Sequence, residues 1–354
     1  MIIKTRRIIF AILCCVMVAG LAPGRASAAV GPYLKALYGK RTDLQVFFDR
    51  KTYLAKPGAD TTATSLEDWA RKIGWKTDKN LVFYKPAVTA PTQIDAAAAP
   101  ETTALAYAVI DEATGQVLAE KNSNSVYRIA SLTKLATIDV ALSKNVPLTR
   151  VQPIVAADQV GGSRLGVKAG TKFSVKDLLY AALLPSANDA ANALADATRL
   201  SRKNFVAAMN DKAQALGLSQ TVFSEPSGVD DGNVSTAREY ALFARTVFSR
   251  STVRAYASTP TRVIRMLPSG KKIALKNGNR LLTYPQYADV QVVAGKTGYL
   301  GPGGDSCNLA VELKSPTGAP RTLVLVLLGE NTMTLTMNDA HDLAKWVWGH
   351  YEWK

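Results

Sequence analysis

The sequence predicts an α/β domain running from about Ala104 to Lys354, built as an antiparallel sheet flanked by helices with a helical subdomain. Three observations carry this. Apolar runs bounded by Gly- and Pro-containing turns occur at both ends of the stretch, helical periodicity fills its middle, and the final segment returns to helical spacing. With 354 residues and 47% hydrophobic content, the chain can bury one large core or two ordinary ones.

Ala104 to Asp111 and Gln116 to Lys121 read as strands of a hairpin around the turn Glu112-Ala113-Thr114-Gly115. The spacing of Leu132, Leu135, Ile138 and Leu142 predicts a helix starting at Ser131. A second helix is expected after Ser174, which can cap it with Asp177 as a capping-box-like partner, and Pro185 ends it. A third runs from Asp189 to about Thr198. Val290 to Lys296, Asn308 to Lys314 and Thr322 to Gly329 read as three antiparallel strands, and Asn338 to Trp348 as a closing helix. No internal repeat is present.

The first 28 residues read as an export signal. Lys4, Arg6 and Arg7 give the positive start, Ile8 to Leu21 the apolar stretch and Ala26-Ser27-Ala28 the cleavage site. An uncleaved anchor is the rival, although the apolar run is short for a bilayer span. Residues 29–85 form an aromatic-rich segment with a helix-like piece after Ser65, and 86–103 a Pro/Ala-rich linker or surface strap. Of the +15 formal charge, four cations and no acid precede Ala29, leaving +11 on the mature chain. Outside the cytoplasmic membrane such a charge draws envelope polyanions or lipid head groups rather than nucleic acid, unless it serves only solubility. Past the signal Cys307 stands alone, so no internal disulfide and no cysteine-rich metal site can form, and the two histidines, His341 and His350, lie close to the C-terminus. Neither a metal nor a cofactor is expected.

Three short motifs follow in order: Ser131-Leu132-Thr133-Lys134, Ser186-Ala187-Asn188 and Lys296-Thr297-Gly298. On a helix, Lys134 stands one turn from Ser131 on the same face. A serine hydroxyl needs a base, and lysine serves as one only when burial or a nearby cation such as Lys296 lowers its pKa. The plain alternative is a helix cap beside a solvated lysine. Ser186 can pass a proton and Asn188 hold a peptide group, unless both simply cap the helix at Asp189. Lys296 can attract a terminal carboxylate, Thr297 hydrogen-bond it, and Gly298 let a substrate backbone approach. A phosphate loop is excluded because Val290 stands where its first glycine is required. A Ser-His-Asp hydrolase lacks the Gly-x-Ser-x-Gly elbow and has only the two C-terminal histidines to draw on.

Together the motifs match the serine β-lactamase and penicillin-binding set. From Ala104 to Trp348 the chain more closely resembles the low-molecular-mass penicillin-binding proteins of the D-alanyl-D-alanine carboxypeptidase family. Ser163 to Asn192, Phe223 to Gly228 and Val234 to Arg238 support the likeness. The resemblance implies a β-lactamase/transpeptidase-like fold, acylation of Ser131 by a peptidoglycan stem peptide and Lys134 as base. It further implies Ser186 as proton relay to the leaving amine, Asn188 positioning substrate, and Lys296 and Thr297 binding carboxylate. The N–H groups of Ser131 and Tyr299 would form the oxyanion hole, water would be the acceptor, and β-lactams would acylate the same serine.

The chain departs from the family at Gly278, where threonine is frequent, and at a longer Gly303 to Cys307. Neither a trailing β-rich domain nor an amphipathic C-terminal anchor helix is expected. With Glu225-Pro226-Ser227-Gly228 this is similar to the soluble endopeptidase branch, which cuts D-alanyl cross-links. A β-lactamase with Glu225 as deacylating group and an inactive wall-binding protein are the remaining alternatives. The sequence leaves oligomeric state open.

Overall fold

The structure is a computed structural model describing residues 76–77, 83–84, 89–300, 306–315 and 321–353. The signal peptide, the helix after Ser65 and most of the loop after Tyr299 lie outside these residues. The chain divides into two compact units, 1–88 and 89–354. Of the first, the described part is an antiparallel pairing of Lys76–Thr77 with Phe83–Tyr84.

The second unit is organised on five strands: β1 (Ala106–Asp111), β2 (Val117–Lys121), β3 (Gln291–Leu300), β4 (Ser306–Lys314) and β5 (Thr322–Glu330). They form one antiparallel sheet in the order β3-β4-β5-β1-β2. Alternation along each strand divides the core in two. Ala106, Ala108 and Ile110 of β1 join Val324, Val326 and Leu328 of β5 in one cluster, while Tyr107 and Val109 join Leu323, Leu325 and Leu327 in the other. Because both faces are covered, the strands read as nearly continuous apolar runs.

Among the described residues the sheet is accompanied by seven α-helices: α1 (Lys134–Ser143), α2 (Val175–Leu183), α3 (Asn188–Ala197), α4 (Arg202–Ala215), α5 (Ala237–Phe248), α6 (Ser251–Ala257) and α7 (Met333–His350). On one face α7 packs against β4 and β5. On the other, α5 lies on β1, β4 and β5, α6 on β3, and α1 to α4 build the helical subdomain outward from there. Among the described residues no helix is long and apolar enough to cross a membrane. Within 89–103, Thr92–Gln93 pairs with Tyr351–Glu352, so the first and last segments of this unit lie side by side.

Several boundaries differ from the sequence reading. α1 does not start at Ser131: Ala130–Thr133 is a 3-10 turn, with Ala130 in the left-handed region at φ 49°, and the α-helix begins at Lys134. α3 begins at Asn188, one residue early. β3 does not stop at Lys296 but continues to Leu300, so the third motif is strand interior. α7 begins at Met333 rather than Asn338, because the Thr332 hydroxyl accepts the Leu335 N–H and caps it. As expected, Ser174 caps α2 by accepting from the Asp177 N–H.

One buried charge lies close to the site-bearing strand. Glu312 on β4 is fully buried and bound by the Arg254 guanidinium of α6, which also reaches Glu112 at 3.2 Å. Arg254→Met removes the partner and leaves a carboxylate stranded in the core. We expect a loss of about 3 kcal/mol in denaturant unfolding, while Glu312→Gln with Arg254→Met recovers part of it.

Candidate active site

Three pieces of chain converge on Ser131: the turn 129–133, the loop 225–229 and the edge strand β3. Each approach depends on a residue without a side chain. A Cβ at Gly228, where φ is +83°, would stand 2.0 Å from the Ala130 carbonyl oxygen and 2.9 Å from the Ser131 nitrogen. A Cβ at Gly298 would lie 3.1 Å from the Ile129 carbonyl oxygen. Asn308 fixes the turn to the sheet, donating to the Arg128 carbonyl at 3.0 Å while accepting the Gly329 N–H at 2.9 Å. Ser131 makes no capping bond, so its hydroxyl is not spent on the helix start.

Lys134 Nζ donates to Ser131 Oγ at 2.8 Å, to Asn188 Oδ1 at 2.6 Å and to the Ser227 carbonyl at 2.5 Å. The side chain is fully buried. Burial lowers its pKa to about 7, against the smaller opposing influence of the Glu225 and Asp189 carboxylates, which favour the ammonium. A lysine so placed can accept the serine proton near neutral pH.

Ser186 also sits in the left-handed region, at φ 63°, in the turn between α2 and α3. Its hydroxyl accepts from Lys296 Nζ at 2.9 Å, and Lys296 also donates to the Thr297 carbonyl at 2.5 Å. Lys296 is 1% exposed, and desolvation, reinforced by the nearby Lys134 charge, pushes its pKa well below the usual lysine range. Each of the two buried lysines thus holds one serine hydroxyl, Lys134 that of Ser131 and Lys296 that of Ser186.

All the residues singled out from the sequence come together, but not all in the posture expected. Asn188 is buried with its amide committed at both ends, Oδ1 to Lys134 and Nδ2 to the Gly161 carbonyl at 2.5 Å. Its visible task is to orient the lysine. Lys296, Thr297, Gly298 and Tyr299 lie on β3 opposite Ala310, Leu309, Asn308 and Cys307, with Tyr299 60% exposed. On its other edge β3 pairs with no strand among the described residues, so its backbone groups there can take an extended peptide.

The β-lactamase alternative needs Glu225 as a deacylating group, and its surroundings argue otherwise. Its carboxylate accepts from the N–H groups of Ser227, Gly228 and Val229, the Ser227 hydroxyl and the Asn233 amide. Five donors exceed the roughly four lone-pair positions of a carboxylate. None remains to activate a water. What Glu225 does is shape the loop that offers the Ser227 carbonyl to Lys134. The two histidines are engaged elsewhere, His341 with Asp289 and Asp342, His350 with Asp95. Among the described residues no group of three His, Cys, Asp or Glu side chains is arranged for a metal.

Residues 93–315 match the family described as D-alanyl-D-alanine carboxypeptidase. A D-alanyl-D-alanine endopeptidase of Pseudomonas aeruginosa is 31% identical over 68% of this chain and 75% of its own. The D-alanyl-D-alanine carboxypeptidases DacF of Bacillus subtilis and DacC of Escherichia coli are 35% and 32% identical, over 54% and 72% of this chain. The chain spans only 50% and 63% of those two relatives. In structure it is similar to the Streptomyces K15 DD-transpeptidase, with a TM-score of 0.63 and 26% identity over 72% of this chain and 100% of that one. A penicillin-binding protein homologue from Mycobacterium tuberculosis gives 0.64 and 27% over 73% and 96%. Fold, motif order and relatives agree: the chain belongs to the D-alanyl-D-alanine carboxypeptidase family of serine peptidases.

Proposed function

We propose that the chain is a serine-type D-alanyl-D-alanine carboxypeptidase that trims peptidoglycan stem peptides through an acyl-enzyme on Ser131. The observation that carries this is the contact between a buried, pKa-lowered lysine and the serine hydroxyl at 2.8 Å. Neutral Lys134 takes the Ser131 proton as Oγ bonds to the carbonyl carbon of the penultimate D-alanine. The N–H groups of Ser131 and Tyr299 hold the resulting oxyanion. When the C–N bond breaks, Ser186 gives its proton to the departing amine and regains one from the lysine pair. Lys296 and Thr297 hold the terminal carboxylate. A water then adds to the ester carbonyl, losing its proton to Lys134, and Ser131 Oγ leaves with a proton.

The leader residues and the basic mature chain support export to a periplasm or outer wall, with envelope polyanions as incidental partners. Because the Pseudomonas relative is named an endopeptidase, a cross-link is the second substrate to weigh. The test is the intact mass of the mature protein after benzylpenicillin. We expect one long-lived adduct that maps to the peptide containing Ser131. Rapid loss of the drug without an adduct would mean a β-lactamase, and neither adduct nor loss would leave a binding protein.

A further inference from the structure

The contact between Ser131 Oγ and Lys134 Nζ depends on how the backbone between them is wound. On an α-helix, residues three apart are rotated about 60° from one another, whereas in a 3-10 turn they eclipse. Residues 130–133 take the 3-10 form, and Lys134 follows at φ −62° and ψ −21°. Its N–H reaches the carbonyls of Leu132 and Ser131, two and three residues back, rather than that of Ala130. This tighter winding sets the lysine in line with the serine at 2.8 Å.

A 3-10 turn has poorer hydrogen-bond geometry than an α-helix, so its form has to be held from outside. Two anchors, the Asn308 amide on the Arg128 carbonyl and the Ile129 N–H on the Asn233 carbonyl, lie before Ser131. Between Ser131 and Lys134 the hold comes from α5. Tyr240 donates its hydroxyl to the Leu132 carbonyl at 2.5 Å, across 108 residues of chain. The neighbouring Thr133 hydroxyl is buried with no hydrogen-bond partner among the described residues, so it supplies no second tie.

Tyr240 is fully buried, with its ring 5.6 Å from that of Phe243. A phenylalanine would fill the same space without a hydroxyl to take out of water, a transfer that is unfavourable unless the hydroxyl finds a partner. The hydroxyl therefore answers to the Leu132 carbonyl and not to the packing. Burial also raises its pKa well above the usual tyrosine range, so the donor keeps its proton throughout the neutral range. A helix begun at Ser131 would spend the Leu132 carbonyl on the Ala136 N–H. A side-chain donor that takes this carbonyl works against regular winding there.

We propose that Tyr240 is a positioning residue for acylation: its hydroxyl holds the Leu132 carbonyl so that the turn keeps the 3-10 form in which the Ser131 hydroxyl lies in line with the Lys134 amine. This rests on the roles given above to Ser131 and Lys134. Tyr240 touches neither the substrate nor the reacting atoms, and it acts through the two residues that do.

The test follows acylation of the full mature chain by benzylpenicillin, separating the saturating rate from the half-saturating concentration. The variants are Tyr240→Phe, Tyr240→Met and Phe243→Leu, the last of which thins the same packing and keeps the hydroxyl. We expect both Tyr240 variants to lose about tenfold in the saturating rate, the scale of one hydrogen bond, with the half-saturating concentration unchanged. The rising limb of the pH profile should stay near 7, because the carboxylates that act on Lys134 are untouched. Phe243→Leu should lower the melting temperature at least as much and keep the rate. Melting curves confirm folding, and either Tyr240 variant suffices should the other fail to fold. An unchanged rate without the hydroxyl, an equal loss of rate in Phe243→Leu, or a displaced pH limb overturns the positioning role. Wild type separates the two ideas: an adduct that forms equally fast without the hydroxyl removes the role of Tyr240 alone, whereas no adduct on wild type removes the acyl-enzyme and the role of Tyr240 with it.

Discussion

Lys134→Ala is expected to slow acylation by benzylpenicillin on the order of 10³-fold, the scale at which a positioned general base contributes. The substitution leaves Ser131, its turn and the edge strand in place but removes the acceptor for its proton. Lys134→Arg should be as slow, because guanidinium does not give up its proton in a protein. The pH dependence supplies a second reading. Only the neutral amine is a base, so with a pKa of about 7 the wild-type acylation rate should climb through neutrality and level off above it. As pH falls through 7 the ammonium returns and the rate is lost. Stopped-flow acylation between pH 5 and 9 measures this directly, and a flat profile would show that Lys134 is not the base.

Glu225→Gln is expected to cost about 100-fold in acylation and about 2 kcal/mol in stability. Both follow from replacing an acceptor-only group with one that turns an NH2 toward donors. The N–H groups of Gly228 and Val229 and the Asn233 amide share one oxygen, and the Ser227 N–H and hydroxyl share the other, so either flip of the glutamine leaves donors facing donors. The loop then loses its hold on the Ser227 carbonyl, one of three acceptors around Lys134 Nζ. A readout independent of folding is available. The Glu225 charge favours the ammonium form of Lys134, so its removal should move the rising limb of the pH profile to lower pH even as the plateau falls. A limb that stays near 7 would reduce Glu225 to a purely architectural residue.

These two residues also show where sequence reasoning reaches and where it stops. The β1–β2 hairpin and the Ser174 cap were legible because their information is local: a turn, an alternation, a hydroxyl three residues from the N–H it accepts. Ser131, Lys134, Ser186, Asn188 and the Lys296-Thr297-Gly298 run were legible as motifs in order. Their postures were not. The left-handed Ala130 interrupts the helical spacing that placed a helix start at Ser131, and it is imposed by packing between Gly228 and Gly298. The continuation of β3 beyond Lys296 was hidden because that stretch has no apolar alternation and is stabilised by pairing with β4. The Ser227 carbonyl carries no side-chain signature at all, and it meets Lys134 across 93 residues of chain. The Glu225 hub has a local clue, an acid two to four residues before three small or apolar residues in a glycine turn, but the sequence places Glu225 only within the peptidase-like stretch Glu225-Pro226-Ser227-Gly228, or as the deacylating group of the β-lactamase alternative, and does not show that it organises the turn.

The left-handed backbones of Ala130 and Ser186 sit at the two hydroxyl-bearing turns of the cleft. Conformations of that kind disfavour any residue but glycine, and they persist only where the surroundings enforce them. Variants chosen for heat tolerance alone would therefore be drawn toward these turns, where relaxing the chain raises the melting point. The same relaxation lets the hydroxyls drift from their lysines. Durability and turnover pull in opposite directions at these two positions, and a family member adapted to a hot habitat has to find its extra stability elsewhere, in the sheet or on the outer helices.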